Sequence, residues 1–275
     1  MKLYKTFALI TGMAILTSCS AQKKIKGDKD VISVNGNLTT GINTIEVGEG
    51  IELELAQSNI NNYILTTDRN LTSVIQFTVK DSVLQIKPSM RITSAKELHV
   101  YLKLQNPQHI ILNDNTKLES PGMINVPDFS LIAREDSDFE FKLRSEEARF
   151  NLSGNAKGDV TVSTGKLDVK MTGRTNLKGD FDTRDTTVTL ADNAEFDVDG
   201  KSETLNLISS DRGDFEGRKF ETEKAKITLS NRTKTEVNAS ESLTVFAVDK
   251  SSIFSYGKGE IAIDALSHDA SIEKK

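Results

Sequence analysis

The feature that most constrains this chain is a period. Reading along Asp114, Glu135, Gly154, Gly173, Asp192, Asp211, Asn231, Asp249 and His268 gives successive steps of 21, 19, 19, 19, 19, 20, 18 and 19 residues. A fixed period in this range means a stack of repeated units, because each unit is too small to bury an apolar face alone and gains its core from its neighbours. Around this column the residue types repeat too. Two residues later stand Thr116, Ser137, Ala156, Thr175, Ala194, Gly213, Thr233, Ser251 and Ala270, all small. Four residues earlier stand Ile110, Leu131, Phe150, Val169, Val188, Leu207, Ile227 and Val245, with Asp264 breaking the column in the last copy. Four residues later the column reads Leu118, Phe139, Leu177, Phe196, Phe215, Ile253 and Ile272, with departures at Gly158 and Thr235.

These offsets share a parity, so in an extended chain their side chains point to one side. That side is the expected core. The small column marks a corner where only a short side chain fits inside, and the intervening offsets are polar almost throughout. Stretches such as "TTVTL" and "AKITL" alternate apolar and polar residues as half-buried strands do. The expected fold is all-β: a parallel β-solenoid of about nine coils over residues 109–273. The handedness rule for parallel crossovers favours a right-handed one. Residues 31–108 are strand-rich but lack the columns, and they read as an N-terminal β region that caps the first coil. The 21-residue step contains "ESPGMINVPD", whose two prolines and two extra residues predict a protruding loop.

Ahead of the fold lies an export signal. Lys2 and Lys5 precede an apolar run from Thr6 to Thr17, too short to span a bilayer as a helix. It ends in Leu16-Thr17-Ser18-Cys19, which resembles the bacterial lipobox, so residues 1–18 read as a lipoprotein signal peptide and Cys19 as the lipidated residue. Two or three acyl chains hold a protein stably to a membrane. Residues 19–30, polar and Lys-rich, read as a flexible tether. Cys19 is followed by Ser20 rather than Asp, and "SAQKK" has no acidic cluster, which points to the outer membrane, on its periplasmic face or at the cell surface.

The lipobox, then "GINTIEVGEGIELELAQSN", "VKDSVLQIKPS", "LHVYLKL" and the run of turn-strand repeats resemble the GIN-domain family, the putative auto-transporter adhesin head domain. The resemblance covers about residues 31–273, with Ile42-Asn43 and Asn113-Asp114-Asn115-Thr116 departing from the family pattern. It implies an all-β solenoid in an envelope protein or lipoprotein of Bacteroidetes-type bacteria. It carries no catalytic residue.

The chemistry in the sequence is sparse. Cys19 is the only Cys, so no internal disulfide and no thiolate cluster can form. Net charge is −5 with both signs interspersed, which gives no reason to expect nucleic acid as a partner. The three histidines, His99, His109 and His268, are scattered, and no phosphate loop, nucleophile elbow or zinc spacing occurs. No catalytic residue, cofactor or metal site is expected. Stacked Asp192 and Asp211, near Glu195 and Asp214, raise calcium as an idea, but the neighbouring arginines and the turn preference of Asp speak against it. Arg174, Arg212, Arg232 and Lys250 form a mostly basic row on the coils, a candidate surface for an acidic polysaccharide or an envelope protein. The competing reading is a solvated face whose cations neutralise the Asp row beside it. Arg212-Gly213-Asp214 spells an adhesion tripeptide, yet each residue already has its place in the repeat. The function expected is non-enzymatic adhesion or glycan or protein binding, the alternatives being a β-helix carbohydrate-active enzyme or a structural spacer.

Overall fold

The computed structural model describes residues 23–267 and 269–275; Cys19, the signal segment and His268 lie outside the described residues. The N-terminal part contains β1 (Lys24–Lys26), β2 (Val31–Asn37), β3 (Thr44–Val47), β4 (Glu52–Gln57), β5 (Asn62–Asp68), β6 (Ile75–Lys80), β7 (Val83–Pro88), β8 (Arg91–Ser94) and β9 (Leu98–Leu104). The coils follow as β10 (His109–Leu112), β11 (Lys117–Asn125), β12 (Asp128–Ala133), β13 (Asp138–Leu152), β14 (Lys157–Met171), β15 (Asn176–Leu190) and β16 (Glu195–Ser209). They end with β17 (Asp214–Leu229), β18 (Lys234–Ala247), β19 (Ser252–Ser255), β20 (Glu260–Leu266) and β21 (Ser271–Lys274). The molecule is the parallel β-solenoid that the period predicts: β13 pairs with β14, β14 with β15, β15 with β16, β16 with β17 and β17 with β18, all in parallel.

Each of the long strands β13 to β17 switches its inward parity at a bend, once in β13 to β16 and twice in β17. In β13 the buried residues run Phe139, Phe141, Leu143 and then Ala148, Phe150, Leu152, so the inward parity switches between Leu143 and Ala148. Pairing skips one residue there, passing from Ser145↔Thr164 to Glu147↔Lys166. This is a second corner, opposite the turn column, and it splits every coil into two walls. The core fills the space between them, with Phe196 packed edge-on between Phe181 and Phe215 at centroid distances of 5.3 and 5.8 Å.

The turn column is made by backbone conformation. Asp114, Glu135, Gly154, Gly173, Asp192, Asp211, Asn231 and Asp249 have φ between 50° and 87°. This left-handed region is one that Gly, Asn and Asp enter at lowest cost. The small column two residues on is buried, as in Thr116, Ser137, Ala156 and Ala194 at 0 % exposure. Where it carries a hydroxyl, that group often closes the turn: Thr116, Ser137 and Ser251 donate to the carbonyls of Asn113, Arg134 and Val248 at 2.5, 2.6 and 2.6 Å.

Several local expectations change. The two extra residues of "ESPGMINVPD" form a bulge inside β11, between Ser120 and Met123, and not a protruding loop; the strand absorbs them without losing its partner β13. Asp264 breaks its column because it is itself the extra residue of a bulge: Ile263 pairs with Val245 and Ala265 with Phe246, so Ile263 holds the register position that spacing alone gave to Asp264. Gly158 departs from its column because the Phe139 ring of the coil below fills the space its side chain would need.

Stacking also continues on the N-terminal side of residue 109. β3 and β4 form a coil directly beneath β10 and β11, with Thr44 under His109 and Glu52 under Lys117. Beneath that coil lie β7 on one wall and β9 on the other. Antiparallel β6 extends the first wall, and β5 then β2 extend the second. Tyr63 stacks on Phe77 at 3.7 Å between these extensions. Chain order and spatial order therefore differ: after β2 of the cap the chain builds the second layer, moves outward to make the rest of the cap and the first layer, and returns to make the third.

Candidate functional site

The residues after each left-handed turn position point outward on successive coils, held there by a backbone ladder. The N–H of Arg174 donates to Gly154 O at 2.7 Å, that of Asn193 to Gly173 O at 2.9 Å, and those of Arg212 and Arg232 to Asp192 O and Asp211 O at 2.8 Å. Strand spacing fixes the rise per coil at about 4.8 Å. Four adjacent turns form a concave groove of about 490 Å³ lined by Asp192, Asn193, Asp211, Arg212, Asn231, Arg232, Asp249 and Lys250. Of the expected basic row, the groove brings together Arg212, Arg232 and Lys250; Arg174 lies one coil outside it.

Two side-chain rows, one acidic and one mostly basic, run along this groove. The acids are turned toward backbone and amide donors: Asp192 accepts from Gly173 N at 3.1 Å, Asp249 from Asn231 N at 3.3 Å, and Asp211 from Asn231 Nδ2 at 3.1 Å. Arg212 donates through Nε to Asn193 Oδ1 at 2.6 Å. Among the described residues, none of Arg174, Arg212, Arg232 and Lys250 has a carboxylate within 4.0 Å. At the N-terminal end of the same ladder the turns are acidic instead. Burial, and then repulsion from Asp114, push the Glu49 carboxyl up, and a hydrogen bond with Asp114 followed by its charge pushes Glu135 up.

Asp214, the last residue of the Arg-Gly-Asp tripeptide, belongs to a different environment. Burial raises its carboxyl to about 6 against the opposing pull of Lys234, with Glu216, Glu195 and Glu236 adding to the rise. Lys234 sits 3.9 Å from Asp214, 3.6 Å from Glu216 and 3.4 Å from Glu236. The tripeptide is thus divided among a groove cation bonded to Asn193, a buried corner glycine and a half-buried acid. It presents no protruding loop tip.

Sequence reading missed a second groove, of about 680 Å³, at the opposite corner, where Thr183, Ser202, Thr222, Asn238, Ser240 and Tyr256 are among the lining residues. A ladder of hydroxyls backs it: Ser202 Oγ lies 3.1 Å from Thr186 Oγ1 and donates to Thr204 O at 2.8 Å, while Ser240 Oγ donates to Thr222 O at 3.1 Å. The signal was present as Ser145, Thr164, Thr183, Ser202, Thr222 and Ser240, a column nine to eleven residues past the turn. His99 and His109 stand on opposite walls, and His99 faces Glu54 at 3.6 Å. Among the described residues, no group of three His, Cys, Asp or Glu side chains is placed to hold a metal ion.

The family model of the putative auto-transporter adhesin head GIN domain matches the chain twice, over residues 41–163 and 146–259. The chain belongs to the GIN-domain family. The first match spans residue 109, in keeping with the continuous stacking of β3–β4 on β10–β11. This GIN-domain protein is similar in structure to a putative adhesin from Parabacteroides merdae ATCC 43184, with a TM-score of 0.73 at 15 % identity over 92 % of this chain and 99 % of that one. A putative adhesin from Parabacteroides distasonis ATCC 8503 gives 0.70 at 18 % identity over 92 % and 100 % of the two chains. A putative lipid binding protein from the same organism gives 0.65 at 14 % identity, again over 92 % and 100 %. At these identities the likeness is one of fold. No curated protein matches the sequence.

Proposed function

We propose that this GIN-domain protein is a lipid-anchored protein of the outer membrane, held through Cys19, that binds a glycan or protein ligand through its turn-ladder groove without turning it over. The observation that carries the binding reading is the groove itself: Arg212, Arg232 and Lys250 lie on successive coils with no carboxylate within 4.0 Å among the described residues, and the backbone ladder holds Arg212 and Arg232 in place. Aligned charges on a rigid concave surface raise the local concentration of an oppositely charged ligand. The naming of two structural neighbours as putative adhesins supports a binding role at the cell surface.

The test is retention of the protein on envelope polysaccharides and surface-protein extracts, comparing it with the Arg212→Glu/Arg232→Glu variant. Both positions are exposed, so folding is expected to be unaffected. Loss of retention in the variant supports the groove, and unchanged retention refutes it. Labelling with a radioactive fatty acid, abolished by Cys19→Ser, tests the anchor, and release of reducing ends from any polysaccharide would refute the non-enzymatic reading.

A further inference from the structure

Resting on that reading, the two rows of the groove restrict the chemistry of its ligand. The cation row places one positive group on each of three successive coils, Arg212, Arg232 and Lys250, at a repeat of about 4.8 Å. Two of the three are guanidinium forks, whose geometry matches a carboxylate bidentately. Beside it runs the acid row. Asp192 and Asp249 each use Oδ2 to accept a backbone N–H, and among the described residues no hydrogen bond reaches Oδ1. A polymer carrying charge alone would satisfy the cations and meet repulsion from the acids. A neutral polymer of hydroxyls would satisfy the acids and leave the cations unpaired. The matching chain carries both carboxylates and free hydroxyl donors along its length.

We infer that the groove takes a linear polyuronate, an acidic polysaccharide with one carboxylate per sugar, lying parallel to the solenoid axis. Its carboxylates pair with cations of the row formed by Arg212, Arg232 and Lys250, while ring hydroxyls donate to Asp192 and Asp249. Four coils line the groove, so it holds about four sugars.

Calorimetric titration of the full chain with oligogalacturonides of increasing length tests this, with dextran and polyphosphate as comparators. Affinity is expected to rise with each added sugar to about four and then level off, and to fall with added salt. Arg232→Glu is expected to weaken binding by about tenfold or more, the loss of one charge-assisted pair. Arg174→Glu, one coil outside the groove, is expected to do clearly less; equal effects of the two would mean a diffuse field and no built site. Oligogalacturonides that fail to bind, or polyphosphate that binds as tightly with the same length dependence, overturn the ligand class. That failure is distinct from failure of the groove itself, which the retention assay on other partners reads independently. Circular dichroism of each variant separates lost binding from lost fold.

Discussion

At the scale of single residues, the turn column is where backbone and side chain most directly constrain each other. Gly173 combines a φ of 87° with a close approach, since a Cβ there would lie 2.6 Å from Gly154 O of the preceding coil. Gly173→Ala must adopt the left-handed region and push into backbone, and is expected to lose about 2 kcal/mol or more, read as a drop in the denaturant midpoint. Asp214 gives a pH-dependent case. Its folded-state value, about 6, lies above the ordinary 3.8, so the folded protein binds the proton more tightly than the unfolded chain. The stability owed to this group therefore increases as pH falls from above 6 toward 4. Asp214→Asn is expected to stabilise the protein at pH 7.5 by about 1 kcal/mol, after allowance for screening of a half-exposed carboxylate. The gain should fall to about half by pH 5 and vanish only below about pH 4, where the unfolded chain is protonated as well, and thermal melts across this range check the sign.

At the scale of the coil, neighbours compensate for one another across layers. The Phe139 ring occupies the space where Gly158 lacks a side chain, so large and absent side chains alternate along one column. Gly158→Ala alone is expected to destabilise through overpacking, by about 1–3 kcal/mol. In a Phe139→Leu background most of that penalty should vanish, and a double-mutant cycle in urea measures the coupling. The same dependence explains what could be read in advance. The left-handed column was legible because Gly, Asp and Asn recur there, and the corner because Thr, Ser, Ala and Gly do. The hydroxyl ladder at the opposite corner was not, because the 20- and 18-residue steps shift it by a residue, and Ser and Thr in a strand look like ordinary outward residues. The basic row was likewise legible as spacing. Its concavity, and the lack of an acid within 4.0 Å of Arg232 and Lys250 among the described residues, depend on where side chains lie, which no one-dimensional pattern encodes.

At the scale of the molecule, the N-terminal layers hid for a topological reason. Ile45, Val47, Ile51 and Leu53 occupy the same columns as Ile110, Leu112, Thr116 and Leu118, but at a separation of 65 residues and not nineteen. A search for a fixed period cannot see a layer that the chain visits out of turn. That visit out of turn also sets how the protein must assemble. Layers from β13 to β18 join partners about nineteen residues apart, whereas seating β10 on β3 closes a 65-residue loop. Longer loops cost more entropy before contact rewards them, so the N-terminal module is the slow nucleus and the remaining coils are quick elongation. Ile45→Val is then expected to slow refolding, whereas Val188→Ala should chiefly hasten unfolding, as stopped-flow chevrons would distinguish. For a chain that emerges N-terminus first, the nucleus is also the first part available. The growing edge always faces the part not yet made, so assembly has a built-in direction, and each new coil finds its template finished.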